Sequence, residues 1–280
     1  MKETQDTLQD IGPQEVERIA QTVQHYHGFD FRNYAPSSFK RRLLRIISLY
    51  KLSNTDQLVR RLETDKAFYD EFLHEVTVNT TEMFRDPPFW QSIRTILQTH
   101  MQNNRYIYIW HAGVSTGEEL FSMLITLKEL DLLAKAKLIG TDISEKVLEQ
   151  AGQGLFFERN LEQYQKNYEQ AGGKVSLDQY FSARDEGYYL DPELLHGVKL
   201  QKHDLVQDAP LSRYDLVMCR NVLIYFDTTL QDQVIRKFYS SMFKGGFLAI
   251  GSKESLVMSS IAHKYEPVDK ENKIFQLKRA

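Results

Sequence analysis

Four charged residues stand where a fold of alternating strands and helices would do chemistry. Glu118 and Glu119 close HAGVSTGEE (111–119), Asp142 follows AKLIGT (136–141), and Arg85 precedes the doubled proline of FRDPPFW (84–90). A small-residue loop that opens a helix can turn backbone N–H groups toward a ligand, and glycine lets the ligand approach the main chain. Two carboxylates on that first turn would repel a pyrophosphate and suit a ligand with an ammonium group. Their other reading is dipole compensation at a helix N-terminus. Gly113 and Gly117 are separated by three residues, so GxGxxG is absent, and nothing resembles the Walker lysine motif. Asp142, 25 residues beyond Gly117, is placed to accept from ribose hydroxyls. Arg85 is placed to reach a carboxylate, with a salt bridge to Asp86 or to a helix end as the alternative. Cys219, the single cysteine, has no histidine in its motif and reads as a small buried strand-end residue.

The elements that must position these residues follow from periodicity. Residues 106–110, YIYIW, alternate aromatic and β-branched types as a short strand does, and 120–130 has helical spacing. A second strand, 136–141, precedes a Ser144 cap and a helix through Gln150; a third, 198–203, ends at Asp204-Leu205. The fourth is 214–219, after which a helical turn begins at Arg220-Asn221-Val222 and runs through Tyr225. A helix over 230–243 is expected to stop at Lys244-Gly245-Gly246, before a fifth strand, 247–250, and a closing hairpin of 264–268 and 273–278. Residues 152–197 interrupt the alternation: a polar helix, 160–170, then two short strands, 178–183 and 188–190, around a turn with one glycine. This reads as an insertion on the sheet edge. Alternating strands and helices that finish antiparallel predict an α/β, Rossmann-like sheet with a small β-subdomain insertion, an arrangement that resembles a class I methyltransferase sheet.

Residues 1–80 predict an all-helical N-terminal domain, and 81–280 the domain that holds the sheet. Pro13 suits a first helical turn before a helix over 15–26; Ser37 or Ser38 should cap the next, through 52, and further helices are expected over 56–63 and 68–76. Between 32 and 61 there are eight basic residues against one acid, Asp56. That lopsided charge is either a solvated face or a docking surface for acidic helices or phosphates. The whole chain, at 280 residues, 42% apolar, 26% charged and with a net charge of −3, is ordinary globular protein with no global nucleic-acid bias. The polar start, MKETQDTLQD, and the lack of any apolar run of about 18 residues predict a cytoplasmic protein without membrane insertion.

Three stretches, VTVNTTEMFRDPPFW (76–90), WHAGVSTGEE (110–119) and CRNVLIYF (219–226), together resemble the chemotaxis receptor glutamate methyltransferases (CheR). LIGTDIS and GGFLAIGSKES also fit, and the likeness spans nearly the whole chain. The resemblance implies S-adenosylmethionine as cofactor and S-adenosylhomocysteine as product. It implies cofactor binding at Asn79, Thr81, Arg85, Glu119, Asp142, Asp204, Leu205, Asn221 and Val222, with Arg85 and Tyr225 in the chemistry. It further implies transfer of the methyl group to glutamate carboxylates on cytoplasmic helices of chemoreceptors, docked on Lys40, Arg41, Arg42 and Arg45. No nucleic acid is expected as partner, and a monomer is. Two residues depart from the family: Asp204 stands where asparagine is usual, and Leu120-Phe121 replaces Pro-Tyr. The short turn at 184–187 predicts a member that finds its receptor without a C-terminal tethering peptide. Two rivals share these residues: a methyltransferase of this fold with another acceptor, and a cofactor-binding adapter without activity.

Overall fold

A computed structural model describes residues 10–77, 81–156, 160–184 and 187–279. The chain divides into two compact units, 1–78 with 224–230 and 79–223 with 231–280. The first is helical: α1 Pro13–His27, α2 Pro36–Leu49, α3 Thr55–Thr64 and α4 Lys66–Val76. Pro13 takes the first position of α1, and Gly28 ends it in the left-handed region at φ 74°. Asn54 and Asp65 cap α3 and α4 by accepting from Gln57 N and Phe68 N. Helix α2 starts earlier than Ser37 or Ser38, at Pro36, because a first-turn proline gives up only an N–H that has no helical partner. Phe31, Phe39, Leu43, Ile46, Leu58, Leu62 and Phe72 form the buried interior of this unit.

Residues 224–230, which the sequence pattern leaves in the second domain, complete the helical unit. Ala35 N donates to Tyr225 O at 2.9 Å, Asp227 N to Asn33 O at 2.9 Å, and Tyr34 bridges Phe226.

The second unit is built on a seven-stranded sheet. Its strands are β1 Ile107–Ala112, β2 Ala136–Asp142, β6 Lys199–Lys202, β7 Tyr214–Cys219, β8 Met242–Ile250, β9 Tyr265–Asp269 and β10 Ile274–Leu277. The order is β6-β2-β1-β7-β8-β10-β9, with the first five parallel and β10 antiparallel to both its neighbours. Helices α5 Pro87–Ile96, α6 Glu118–Glu129, α7 Glu145–Gln153 and α10 Thr228–Ser240 belong to the crossovers and the approach to β1. Chain order reverses between β1 and β7, the switch point at which open α/β sheets hold ligands beyond their strand ends. The doubled proline begins α5 rather than merely ending what precedes it.

Two expectations are corrected here. The helix predicted over 230–243 ends at Ser240, and Gly245-Gly246 lies within β8. Met242 pairs with Tyr214, and a register shift follows; a Cβ on Gly246 would sit 2.9 Å from Phe243 O, so the glycines serve a bulge and not a helix stop. The insertion does not extend the main sheet. It forms its own sheet, β3-β5-β4, from Leu155–Phe156, Gly187–Leu190 and Phe181–Arg184. Tyr180 and its neighbours, expected in a strand, form a short 3-10 turn, Leu177–Tyr180. The polar helix is α8 Leu161–Gln170, and α9 Pro192–Leu195 leads back to β6. Of the turn between β4 and β5, residues 185 and 186 lie outside the described residues.

Candidate active site

The loop between β1 and α6 is held to the end of β2 by main-chain and carboxylate bonds. Gly113 N and Val114 N both donate to Thr141 O, at 2.8 and 2.9 Å. Asp142, buried at the strand tip, accepts from Ser115 N at 2.9 Å on one oxygen and from Ser144 N at 3.1 Å on the other. Its carboxylate thus fixes both the loop and the entry to α7. Gly113 has φ 78°, and a Cβ there would fall 2.5 Å from Val222 Cγ2. Glycine there lets the Val222 side chain pack directly against the main chain at the switch point.

The two glutamates have different environments. Glu118 is buried and accepts from Thr116 Oγ1 at 2.6 Å; burial pushes its carboxyl up to about 7. Glu119 is partly exposed and lies between His111 and Arg220. His111 Nδ1 is 3.1 Å from its Oε1, and Arg220 Nη1 donates to its Oε2 at 3.2 Å. Since a carboxylate only accepts, Nδ1 of His111 carries the proton. Burial acts to raise the Glu119 carboxyl, but the His111 bond and the Arg220 charge outweigh it and hold the group below the usual range.

Arg220 is the residue on which the rim converges. Leaving the end of β7 with a side chain 2% exposed, it also donates to Asp86 Oδ2 at 2.6 Å and lies 3.9 Å over the Phe89 ring. Asp86 in turn is held out by an irregular turn: Phe84 and Asp86 have φ of 51° and 56°. Non-glycine residues in that region cost about 1–3 kcal/mol each and persist only where surroundings fix them. Here Phe84 N donates to Ser122 Oγ at 2.8 Å, and Trp90 Nε1 to Arg85 O at 3.1 Å. Asn221, at φ 61°, follows Arg220, and Gly251 beyond β8 lets it approach: a Cβ there would be 2.8 Å from Asn221 N. Gly251 N donates to the buried Glu254.

Of the residues expected in a site, Arg85, Glu119, Asp142, Asn221 and Val222 come from segments at the ends of β1, β2 and β7, or from the turn whose Asp86 is bonded to Arg220. Thr81 is half-buried upstream of that turn, and Asn79 lies outside the described residues. His203 N donates to Asp142 O at 3.0 Å, which sets the loop with Asp204 and the buried Leu205 beside Asp142. Asp204 Oδ1 accepts from Val206 N and Gln207 N at 2.7 and 3.2 Å. Both bonds go to one oxygen, which an asparagine amide would supply equally, so the departure from the family leaves this turn unchanged. Burial raises the Asp204 carboxyl.

Tyr225 belongs to the helical unit, where the Arg42 guanidinium lies 4.4 Å over its ring. Arg42 is itself a correction: it is buried, donates to Val76 O at 2.5 Å, and cannot line a docking surface. Burial lowers its guanidinium pKa despite the bond to Tyr225. Lys40 pairs with Asp10 at 2.8 Å and Arg45 approaches Glu75 at 3.7 Å, while Arg41 and Arg45 are exposed. Cys219 is buried, as expected, and burial raises its thiol pKa.

Sequence reasoning did not single out His111, Asp86, Arg220 or Glu254. A charged residue closing the apolar run YDLVMC was the available signal for Arg220.

Residues 79–274 match the family model described as CheR methyltransferase, SAM binding domain, and 14–77 match CheR methyltransferase, all-alpha domain. The Cher3 protein of Pseudomonas putida is 34% identical over 262 residues, covering 94% of this chain and 96% of that one. A chemotaxis protein methyltransferase of Listeria innocua is 27% identical over 232 residues, covering 82% and 86%. Among solved structures, the N-methyltransferase NodS of Bradyrhizobium japonicum aligns at a TM-score of 0.38 and 13% identity, over 69% of this chain and 90% of that one.

The rim suits the cofactor of that family. It offers carboxylates for an ammonium group and a diol, and a glycine main chain that no Cβ could share with Val222. The protein is an S-adenosylmethionine-dependent methyltransferase of chemotaxis, and the chain belongs to the CheR methyltransferase family.

Proposed function

We propose that the acceptor is a glutamate side chain of a chemoreceptor and the product its methyl ester. The observation that supports this reading is the state of the groups at the strand ends. His111 is fully buried and donates through Nδ1 to Glu119, Glu118 is buried against Thr116, and both oxygens of Asp142 accept from backbone N–H groups. The more accessible carboxylates of the rim, Asp86 and Glu119, are both paired with Arg220, and Glu119 is held below the usual carboxylate range, which makes it a weak base for a neutral acceptor. An acceptor carboxylate is ionised at neutral pH and requires no base. S-adenosylmethionine, when bound, supplies an electrophilic methyl group on a sulfonium.

In this reading Glu119 accepts from the cofactor's ammonium group, Asp142 from its ribose hydroxyls, and the Asp204-Leu205 loop flanks the adenine. Asn79, Thr81 and Arg85 serve the amino-acid end, and Asn221-Val222 closes the opposite wall. Arg85 forks onto a carboxylate, either the cofactor's or the acceptor's, and Tyr225 hydrogen-bonds the acceptor. Catalysis then consists of alignment and the removal of water from the nucleophile. The test is incubation of the purified protein with methyl-labelled S-adenosylmethionine and receptor-bearing membranes. Label released as methanol by mild base is the expected result. Base-stable label, or label on something other than receptor, would reject glutamate as the acceptor.

A further inference from the structure

The inserted helix α8 reaches the rim through a short chain of buried contacts. Asn167, 5% exposed, donates through Nδ2 to Met83 O at 3.0 Å and accepts from Gln163 Nε2 at 2.7 Å. Met83 O can only accept, which fixes the orientation of the amide. The next residue along α8, Tyr168, packs its ring 5.1 Å from that of Phe84. On the other side, Phe84 N donates to Ser122 Oγ, which itself donates to Glu118 O at 2.8 Å. Met83 and Phe84 are thus gripped from α8 and α6 just before the left-handed turn that sends Asp86 to Arg220, and Arg220 to Glu119.

Helix α8 is firmly seated for this. Its last carbonyls, which no further helical turn satisfies, accept from α5: Gln91 Nε2 donates to Gln170 O at 2.6 Å and Arg94 Nε to Ala171 O at 3.0 Å. Tyr168 donates to Glu129, and a Cβ on Gly173 would overlap the Tyr168 ring at 2.3 Å, so glycine lets the chain turn there.

We propose that Asn167 is a positioning residue for the cofactor site: its bond to Met83 O fixes the turn from which Asp86 aligns Arg220 on Glu119. The inserted subdomain is in this way part of the machinery that shapes the rim. The proposal rests on the cofactor lying at Glu119 and Asp142.

The test is titration calorimetry with S-adenosylhomocysteine on Asn167→Asp, compared with wild type at each pH. An ionised aspartate can take the Gln163 bond but cannot donate to Met83 O; a protonated one can do both. Affinity relative to wild type should fall about tenfold at about pH 8 and recover by about pH 5.5, with the melting temperature measured at both. A stability defect alone would shift melting without this acid rescue of binding. Wild-type affinity at both pH values overturns the proposal. Should Asn167→Asp fail to fold, Ser122→Ala, which strips Phe84 N of its acceptor, carries the test: unchanged affinity there overturns it, and about tenfold weaker binding supports it. Asp142→Ala is the control. If it binds normally, the placement of the cofactor has failed; if it has lost binding while Asn167→Asp has not, the positioning role alone has failed.

Discussion

Arg220 sits where two carboxylates from distant parts of the chain converge, and its planar fork is what allows it to serve both. One nitrogen serves Asp86 and the other Glu119. Arg220→Lys offers a single ammonium and should lower cofactor affinity and turnover together, which an exchange of equivalent cations would not. Arg220→Met removes one of the two groups that together outweigh burial at Glu119, the His111 bond being the other, so the Glu119 pKa, now below the ordinary 4.5, should rise. In the wild type the depressed pKa gives stability that is present above 4.5 and lost as pH falls through the folded value. In the variant that contribution shrinks, and denaturation across the acid range checks it.

Glu118 works in the opposite sense. Its folded pKa is raised to about 7 from 4.5, so its contribution is fully present below 4.5 and is lost as pH rises through 7. Glu118→Gln keeps an acceptor for Thr116 and has no charge to desolvate. Relative to wild type it should gain stability between these two pH values, by at most about 3 kcal/mol. Urea denaturation that shows a constant difference over that window would exclude a buried ionising Glu118. At Asp142 both kinds of bond are at stake: Asp142→Ala loses the loop anchor and the proposed diol contacts, and should weaken S-adenosylhomocysteine more than about tenfold.

At the scale of elements, the docking of α8 depends on one buried ion pair. Glu129 bonds Arg94 at 2.5 Å and also accepts from Tyr168 and Tyr180, joining α5, α6 and the insertion. Glu129→Ala would leave the Arg94 guanidinium buried and uncompensated, at a cost of about 3–5 kcal/mol. Hydrogen exchange should show α8 and β3 to β5 opening before the main sheet; uniform destabilisation would mean that the insertion is not a separate cooperative element. Local pattern reveals elements of this kind unequally. Strand β7 was legible to the residue, since YDLVMC is apolar and bounded by polar turns. Gly245-Gly246 after a helical run looks like a C-cap from within its own window, and only the pairing of Met242 with Tyr214 makes it a bulge. Asp142 was legible as an acid at a strand tip, a position that its own stretch of sequence defines. Arg220 was not, because its role exists only where residues 86, 119 and 220 meet.

At the scale of the whole molecule, the proposed acceptor is acidic while the protein carries a net charge of −3, and the basic helical unit is the part proposed to meet it. Among four basic residues on α2, periodicity could not tell which was buried; Val76 O and Tyr225, far along the chain, decide that it is Arg42. Arg41 and Arg45, one turn apart and exposed, are left with Lys40 as the face able to steer a receptor helix. Exposed charges act mainly on encounter and are screened within about 8–10 Å at physiological salt. Arg41→Glu combined with Arg45→Glu should therefore raise the apparent KM for receptor severalfold, leave kcat near wild type, and flatten the rise of KM with salt. Arg42→Glu should behave differently. A carboxylate facing Val76 O cannot donate to it, and the helical unit should lose stability at every salt concentration rather than lose substrate affinity at low salt. A wild-type KM that does not change between low and high salt would remove electrostatic docking on α2, and with it the reason for the lopsided charge of this unit.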